Sequence, residues 1–288
     1  MTEPEASIVV AVDPTNPGQF FACCGLLELA DRLWPGAEGW FAEGGREFRI
    51  ACGGSLPELL AKLCAAKLET NLTDGGMKRL GSLLSKDKST LTKEESEDKE
   101  RLRSIWQRER VTLSAPFDLS LDWWWDKASG MNALKTWAAK QFVMEIARPL
   151  LVAVGQVKWT DDSPSPCLTT TARLSGLPFY YDAANNAQNT PRDFGVAPAA
   201  VKHAPSDRPL LELLAFFGLQ RFRPLREPKS DVMRYSVWSI PLAPSAAGAA
   251  VSGALELPGE SRYEFQMLKR TEYMKAVLQA QPSKETDR

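Results

Sequence analysis

Residues 7–34 read SIVVAVDPTNPGQFFACCGLLELADRLW, and this stretch decides the fold class. Ser7 to Val12 is short and rich in β-branched residues, as a buried strand is. Asp13-Pro14-Thr15-Asn16-Pro17 then breaks the chain. Asn16 is placed to cap a helix with Pro17 at its first position, where a missing N–H costs nothing. The helix predicted from Gln19 to about Trp34 is apolar nearly all round, so it must be buried on several sides. Gly25 in its middle costs about 1 kcal/mol against alanine, which predicts a close approach by a neighbouring element.

Working outward, Glu47 to Ala51 reads as a strand and Leu56 to Leu68 as a helix with its leucines on one face. Residues 85–100 (SKDKSTLTKEESEDKE) are dense in charge and read as a mobile inserted loop. A strand is expected at Phe117 to Leu121, and a helix from Asn132 to Ala147 that ends at Arg148-Pro149. Leu168 to Leu174 and Leu177 to Tyr181 resemble a hairpin joined by Ser175-Gly176, and residues 182–198 a long polar loop. Leu210 to Leu219 looks helical. Arg221 to Arg226, Arg234 to Pro241 and Tyr263 to Leu268 look like strands, Pro244 to Gly253 like a turn or linker, and 281–288 like a disordered tail. This order predicts one α+β domain over residues 1–288, with a mixed or antiparallel sheet packed with helices. A ferredoxin-like, RNA-recognition-like core fits the short strands flanking helices in both halves.

With 288 residues, 44% hydrophobic and 25% charged, the chain is long enough to bury roughly 75% of its unfolded surface. Its five cysteines include no CxxC pair, which argues against a disulfide framework or a zinc knuckle and for a reducing cytoplasm. The single histidine, His203, excludes His-rich metal sites and any mechanism needing a histidine pair. The N-terminus lacks the pattern of a signal peptide. The longest apolar run, Phe20 to Leu27, falls far short of the roughly 20 residues of a membrane span. The net charge of −1 conceals a split: residues 1–76 carry −6 and residues 77–288 carry +5. Such a split fits nucleic-acid contact, pairing with a basic partner or an ordinary solvated surface.

No GxxxxGK[ST], GxGxxG, GxSxG or HExxH occurs. Asp122, Asp126 and Asp161 are the carboxylates a divergent metal-dependent nuclease would use, yet none has a lysine at nuclease spacing. The non-catalytic signals are stronger. Trp123-Trp124-Trp125 cannot all face one side of a strand, so packing of two leaves one for another face or for base stacking; Trp124 is the stacking candidate. Lys135, Lys140 and Arg148 lie beside Trp137. Residues 201–235 carry a local balance of +3, with Arg221, Arg223, Arg226, Lys229 and Arg234 close together. Arg221 and Arg223 flank Phe222, so on a strand both forks project from one face toward phosphates. The candidate nucleic-acid-binding residues are therefore Arg221, Arg223, Arg226, Lys135, Lys140 and Trp124, against the alternative of a salt-bridged protein surface.

The block from Asp13 to Ala30 resembles the N-terminal signature of small Csx/Csb-type effector subunits from type I-U (also called I-G) CRISPR-Cas loci. Leu121-Asp122-Trp123-Trp124, Lys135-Thr136-Trp137-Ala138 and Phe217-Gly218-Leu219-Gln220-Arg221-Phe222-Arg223-Pro224 fit the same pattern, so the matched blocks span residues 13–224. The resemblance implies a cytoplasmic, non-catalytic subunit of a surveillance (Cascade) complex in antiviral defence, without metal or cofactor. Its implied partners are crRNA, target DNA, sister effector subunits and, transiently, the helicase–nuclease. In such complexes base pairing reads sequence while protein reads backbone shape. The divergent nuclease and a scaffold that touches only protein stand as alternatives.

Overall fold

β1 (Ile8–Ala11) runs through Asn16 into α1 (Pro17–Leu33), and the Asn16 side chain accepts the Gly18 N–H at 3.0 Å. Every residue from Pro17 to Ala30 is buried, as the all-round apolar sequence requires. The computed structural model describes residues 3–125, 131–138, 141–160, 162–186, 206–226, 230–269 and 275–283.

β2 (Glu38–Ala42) and β3 (Glu47–Ala51) form a hairpin, and β3 lies between β1 and β2, antiparallel to both. With α1 as the crossover, these elements make a split β-α-β unit. α2 (Leu56–Ala65) buries Leu56, Leu59, Leu60 and Leu63 but stops short of Leu68, which opens β4 (Leu68–Thr70). A ferredoxin-like sheet would set this next strand against β1. Instead β4 pairs with β5 (Val111–Leu113), and β5 with β6 (Leu119–Leu121). The outer edge of β1 meets Ser165, whose N–H donates to Val9 O at 2.8 Å and whose carbonyl accepts the Ala11 N–H at 2.9 Å. The fold is α+β with several small antiparallel sheets, and the four-strand ferredoxin-like order is not completed by these elements.

The centre of the core is the pairing of α1 with α6 (Pro209–Gly218), all ten of whose residues are buried. The close approach expected at Gly25 is made by this helix: a Cβ there would lie 2.0 Å from the Leu214 carbonyl oxygen. On one side of the pair, Phe20 stacks on Tyr235 of β10 (Met233–Val237) at 4.1 Å. On the other, Phe216 stacks on Phe179 at 4.5 Å and on Trp124 at 5.5 Å. β10 is flanked by β9 (Leu225–Arg226) and β11 (Ser261–Phe265), and β11 by β14 (Gln281–Pro282). A separate hairpin joins β12 (Met267–Lys269) to β13 (Lys275–Val277).

Several elements differ from the sequence reading. Beyond α3 (Asp74–Ser85), the charged stretch 85–100 is not a loop throughout, because α4 (Lys93–Trp106) occupies its second half. Thr92 and Glu95 form a capping box, and the buried stripe is only Leu102 and Trp106, too narrow to register as apolar periodicity. The helix placed at 132–147 begins at Met144: α5 (Met144–Gly155) carries Pro149 inside it and buries Ile146, Ala147, Leu150, Ala153 and Val154. Burial of that face outweighs the roughly 3 kcal/mol cost of an internal proline. The 168–181 hairpin is absent; β7 (Ala172–Arg173) pairs instead with β8 (Ser206–Asp207), thirty-odd residues further on. Residues 244–251 form α7 (Pro244–Val251) rather than a linker, with Ala247, Ala250 and Val251 buried. Of the strand expected at 221–226, only Leu225–Arg226 pairs. In the expected tail, Gln281–Pro282 pairs with β11, while 284–288 lie outside the described residues.

Candidate nucleic-acid interface

The Asp13–Gln19 segment is a structural hub. Asn16 donates from Nδ2 to the buried Asp182 carboxylate at 2.7 Å, and its Oδ1 also accepts the Ala183 N–H at 3.2 Å. Asp182 accepts from Arg208 at 3.0 Å. Glu212 of α6 receives the Tyr181 and Asp182 N–H groups at 3.1 and 2.9 Å, and burial pushes its carboxyl up to about 8. Tyr235 donates its hydroxyl to Pro14 O at 2.6 Å, and the Ala280 N–H donates to Thr15 O at 2.7 Å. The proline-rich break thus ties together α1, α6, β10 and the chain's C-terminal stretch. This segment holds the fold together.

Two of the expected contact residues are committed elsewhere. Trp124 is 1% exposed and lies among Trp123, Trp137 and Phe216, so its ring faces are covered by protein rather than offered to a base. The tryptophans sit on a short 3-10 turn, Trp123–Trp125, and the half-buried Trp125 is the one that reaches toward the surface. Arg221 sits in the turn after α6 and points its guanidinium at buried Glu28 of α1, with Nε to Oε2 at 2.5 Å. Glu28 also accepts from Arg32 at 2.9 Å. An arginine fork locked on a buried carboxylate is not a free phosphate donor. Arg221 and Arg223 therefore do not form a pair of forks on one strand face, and Arg223 is half-buried between buried Phe222 and Pro224.

Arg226 and Lys135, far apart in sequence, are brought into one neighbourhood by a lysine that the sequence reading missed. Lys275 opens β13; its N–H donates to Thr136 O at 2.9 Å and its Nζ reaches Ala133 O at 3.4 Å, beside Lys135. Across the β12–β13 ladder Lys275 faces Lys269. Half-burial pulls the Lys275 ammonium down from its ordinary range, and the charges of Arg226 and Lys269 pull it further. Lys135 lies over the Trp125 and Trp137 rings at 5.0 and 5.3 Å. Burial lowers it to about 8, the buried Glu109 carboxylate opposes that fall, and Lys275 adds to it. Among the described residues, the acids in reach are Glu109, which serves Lys135, and Asp231, 3.6 Å from Arg226 and 89% exposed. Among the described residues, the four cations Lys135, Lys269, Lys275 and Arg226 thus gather around Lys275, with the carboxylates of Glu109 and Asp231 alongside. An anion with several oxygens relieves such like-charge crowding.

Lys140 lies outside the described residues, as do Lys229 and His203. Of the nuclease carboxylates, Asp126 and Asp161 also lie outside them. Asp122 is engaged by Arg110 at 3.2 Å and by the Gln220 side-chain amide at 3.2 Å. No group of three or more His, Cys, Asp or Glu side chains able to hold a metal occurs among the described residues, and no helix there is long and apolar enough to cross a membrane. Among known proteins, no family model, curated protein or solved structure matches the chain.

Proposed function

We propose that the chain is a non-catalytic, cytoplasmic subunit of a type I-U/I-G CRISPR-Cas surveillance complex that contributes to binding crRNA, target DNA or both. The observation that carries the reading is the Lys135–Lys269–Lys275–Arg226 cluster, where cations outnumber the carboxylates in reach among the described residues. The cluster supports contact with a phosphate backbone rather than with base edges, because ammonium groups act as point charges and carry no base pattern. A few cations grip nucleic acid weakly alone, so the contact belongs to an assembly in which sister subunits supply the rest. The reading of that assembly as a Cascade complex rests on the resemblance of the Asp13–Ala30 block to its subunits. Purifying the tagged chain from its own cells tests the reading. Repeat-derived small RNA and further effector subunits are expected to co-purify; a chain that emerges with neither contradicts it.

A further inference from the structure

A second charged feature, opposite in sign, lies on the sheet of β1, β3 and β2. Val9, Arg49 and Trp40 are direct cross-strand partners in that sheet, so their side chains share one face. On this face lies a groove of about 450 Å³ lined by Glu3, Glu5, Glu47, Val9, Trp40 and Pro164, among others. Arg49, in the same groove, lies 2.7 Å from Glu47, 3.6 Å from Glu43 and 3.8 Å from Glu3. Its single charge is thus shared among three carboxylates, and exposed Glu5 adds a fourth. Trp40 supplies an independent observation. Its indole is 1% exposed and lines the groove, yet its Nε1–H has no hydrogen-bond partner. A buried donor left unpaired is unfavourable, so an occupant bringing an acceptor relieves that cost.

The occupant must therefore carry positive charge, apolar stem and a carbonyl-type acceptor together. A nucleic acid fails on the sign of the charge. An extended peptide with lysine or arginine side chains has all three: cationic heads for the glutamates, methylene stems for Val9 and Pro164, and backbone carbonyls for the Trp40 N–H. We propose that this groove docks an extended, lysine- or arginine-bearing segment of a partner protein. The proposal does not depend on the nucleic-acid reading, since it uses different residues and an oppositely charged ligand.

The test is fluorescence anisotropy of the full chain with a labelled Ala-Arg-Ala-Arg-Ala-Arg-Ala peptide at low salt. Saturable binding is expected, weakened at least about tenfold by Glu5→Lys, in line with the cost of opposing like charges. Glu5→Gln is expected to weaken it less, which covers the case in which the reversal disturbs folding. Trp40→Phe keeps the ring, removes the donor and should weaken binding several-fold. Glu100→Lys, on an exposed face of α4, should leave it unchanged. The proposal is overturned if the wild-type chain does not bind the peptide, if Glu100→Lys weakens binding as much as Glu5→Lys, or if spermidine, a cation without a carbonyl, competes as well as an unlabelled peptide of equal charge.

Discussion

Gly25 of α1 and Gly218 of α6 interlock at the centre of the core: a Cβ added at Gly218 would lie 2.8 Å from Gly25 N and 2.2 Å from Phe21 O, and one added at Gly25 would meet Leu214 O at 2.0 Å. In both cases the obstructing atoms are backbone, which cannot rotate aside.

Alanine at either position gains up to about 1 kcal/mol of helix propensity and loses more by forcing the helices apart. Gly25→Ala and Gly218→Ala should each lower stability by roughly 1–3 kcal/mol, read as a drop in the urea midpoint. Gly75→Ala in α3, where the added methyl meets open space, should not lower it. A midpoint for Gly25→Ala equal to that of the unaltered chain contradicts the interlock.

Asn16→Ala removes the α1 cap and also strips the buried Asp182 carboxylate of a donor. Caps are worth about 0.5–2 kcal/mol, so the substitution should cost about 2 kcal/mol, with amide exchange at Gly18 and Ala183 faster than in the unaltered chain. Unchanged exchange at both amides would show that the bridge between α1 and residue 182 is not formed.

What the sequence disclosed, and what it hid, follows from the range of the interactions involved. The Asn16 cap, the buried α1 and the close approach at Gly25 were legible because a cap, an all-round apolar run and a mid-helix glycine are local signals. The partner at Gly25 was not, since α6 lies almost 200 residues on. Lys135 and Arg226 were visible as cations, but Lys275, which joins them, sits on a strand whose ladder and contact with Thr136 are set by tertiary packing. Arg221 and Trp124 read as contact residues because composition carries charge and aromaticity; it does not show Glu28 or Phe216 across the core. The α4 helix was missed because its charges are held by capping and ion pairs, including Arg79–Asp98 and Lys86–Glu95, rather than by an apolar stripe.

Glu109 gives the chain a pH-dependent stability term. It is buried, accepts the Thr70 hydroxyl at 2.9 Å, and is pushed by burial from its ordinary 4.5 to about 7. Between those values the folded chain keeps a proton that the unfolded chain has released. The stability this group contributes is therefore fully present below about pH 4.5 and lost as pH rises through 7. Glu109→Gln, which keeps an oxygen for Thr70, should flatten that decline by something on the order of 2 kcal/mol between pH 4.5 and 7.5. Urea midpoints across the range provide the check; parallel profiles for the two proteins refute the assignment.

The cysteines should separate by burial. Cys23, Cys24 and Cys167 are buried, and burial raises all three thiols, so none forms thiolate readily. Cys64 is exposed and Cys52 half-buried. Native titration with a thiol reagent should label Cys64 and Cys52, and reach all five only after denaturation. Labelling of Cys23 or Cys24 in the native chain contradicts the buried α1.

The proposed phosphate contact at the cation cluster is tested most directly by the salt dependence of nucleic-acid binding by the complex proposed to form around the chain. Each lost phosphate contact should reduce the slope of log K against log salt by about 0.7 on a single strand and about 0.9 on duplex. With Arg226, Lys269 and Lys275 all changed to alanine, the slope should fall by roughly 2 to 3 and the affinity with it, the complex staying intact. Arg221→Ala, which breaks the pair with Glu28, should leave the slope where it was while lowering stability. An unchanged slope in the triple variant, or a reduced one in Arg221→Ala, contradicts the cluster as the nucleic-acid contact.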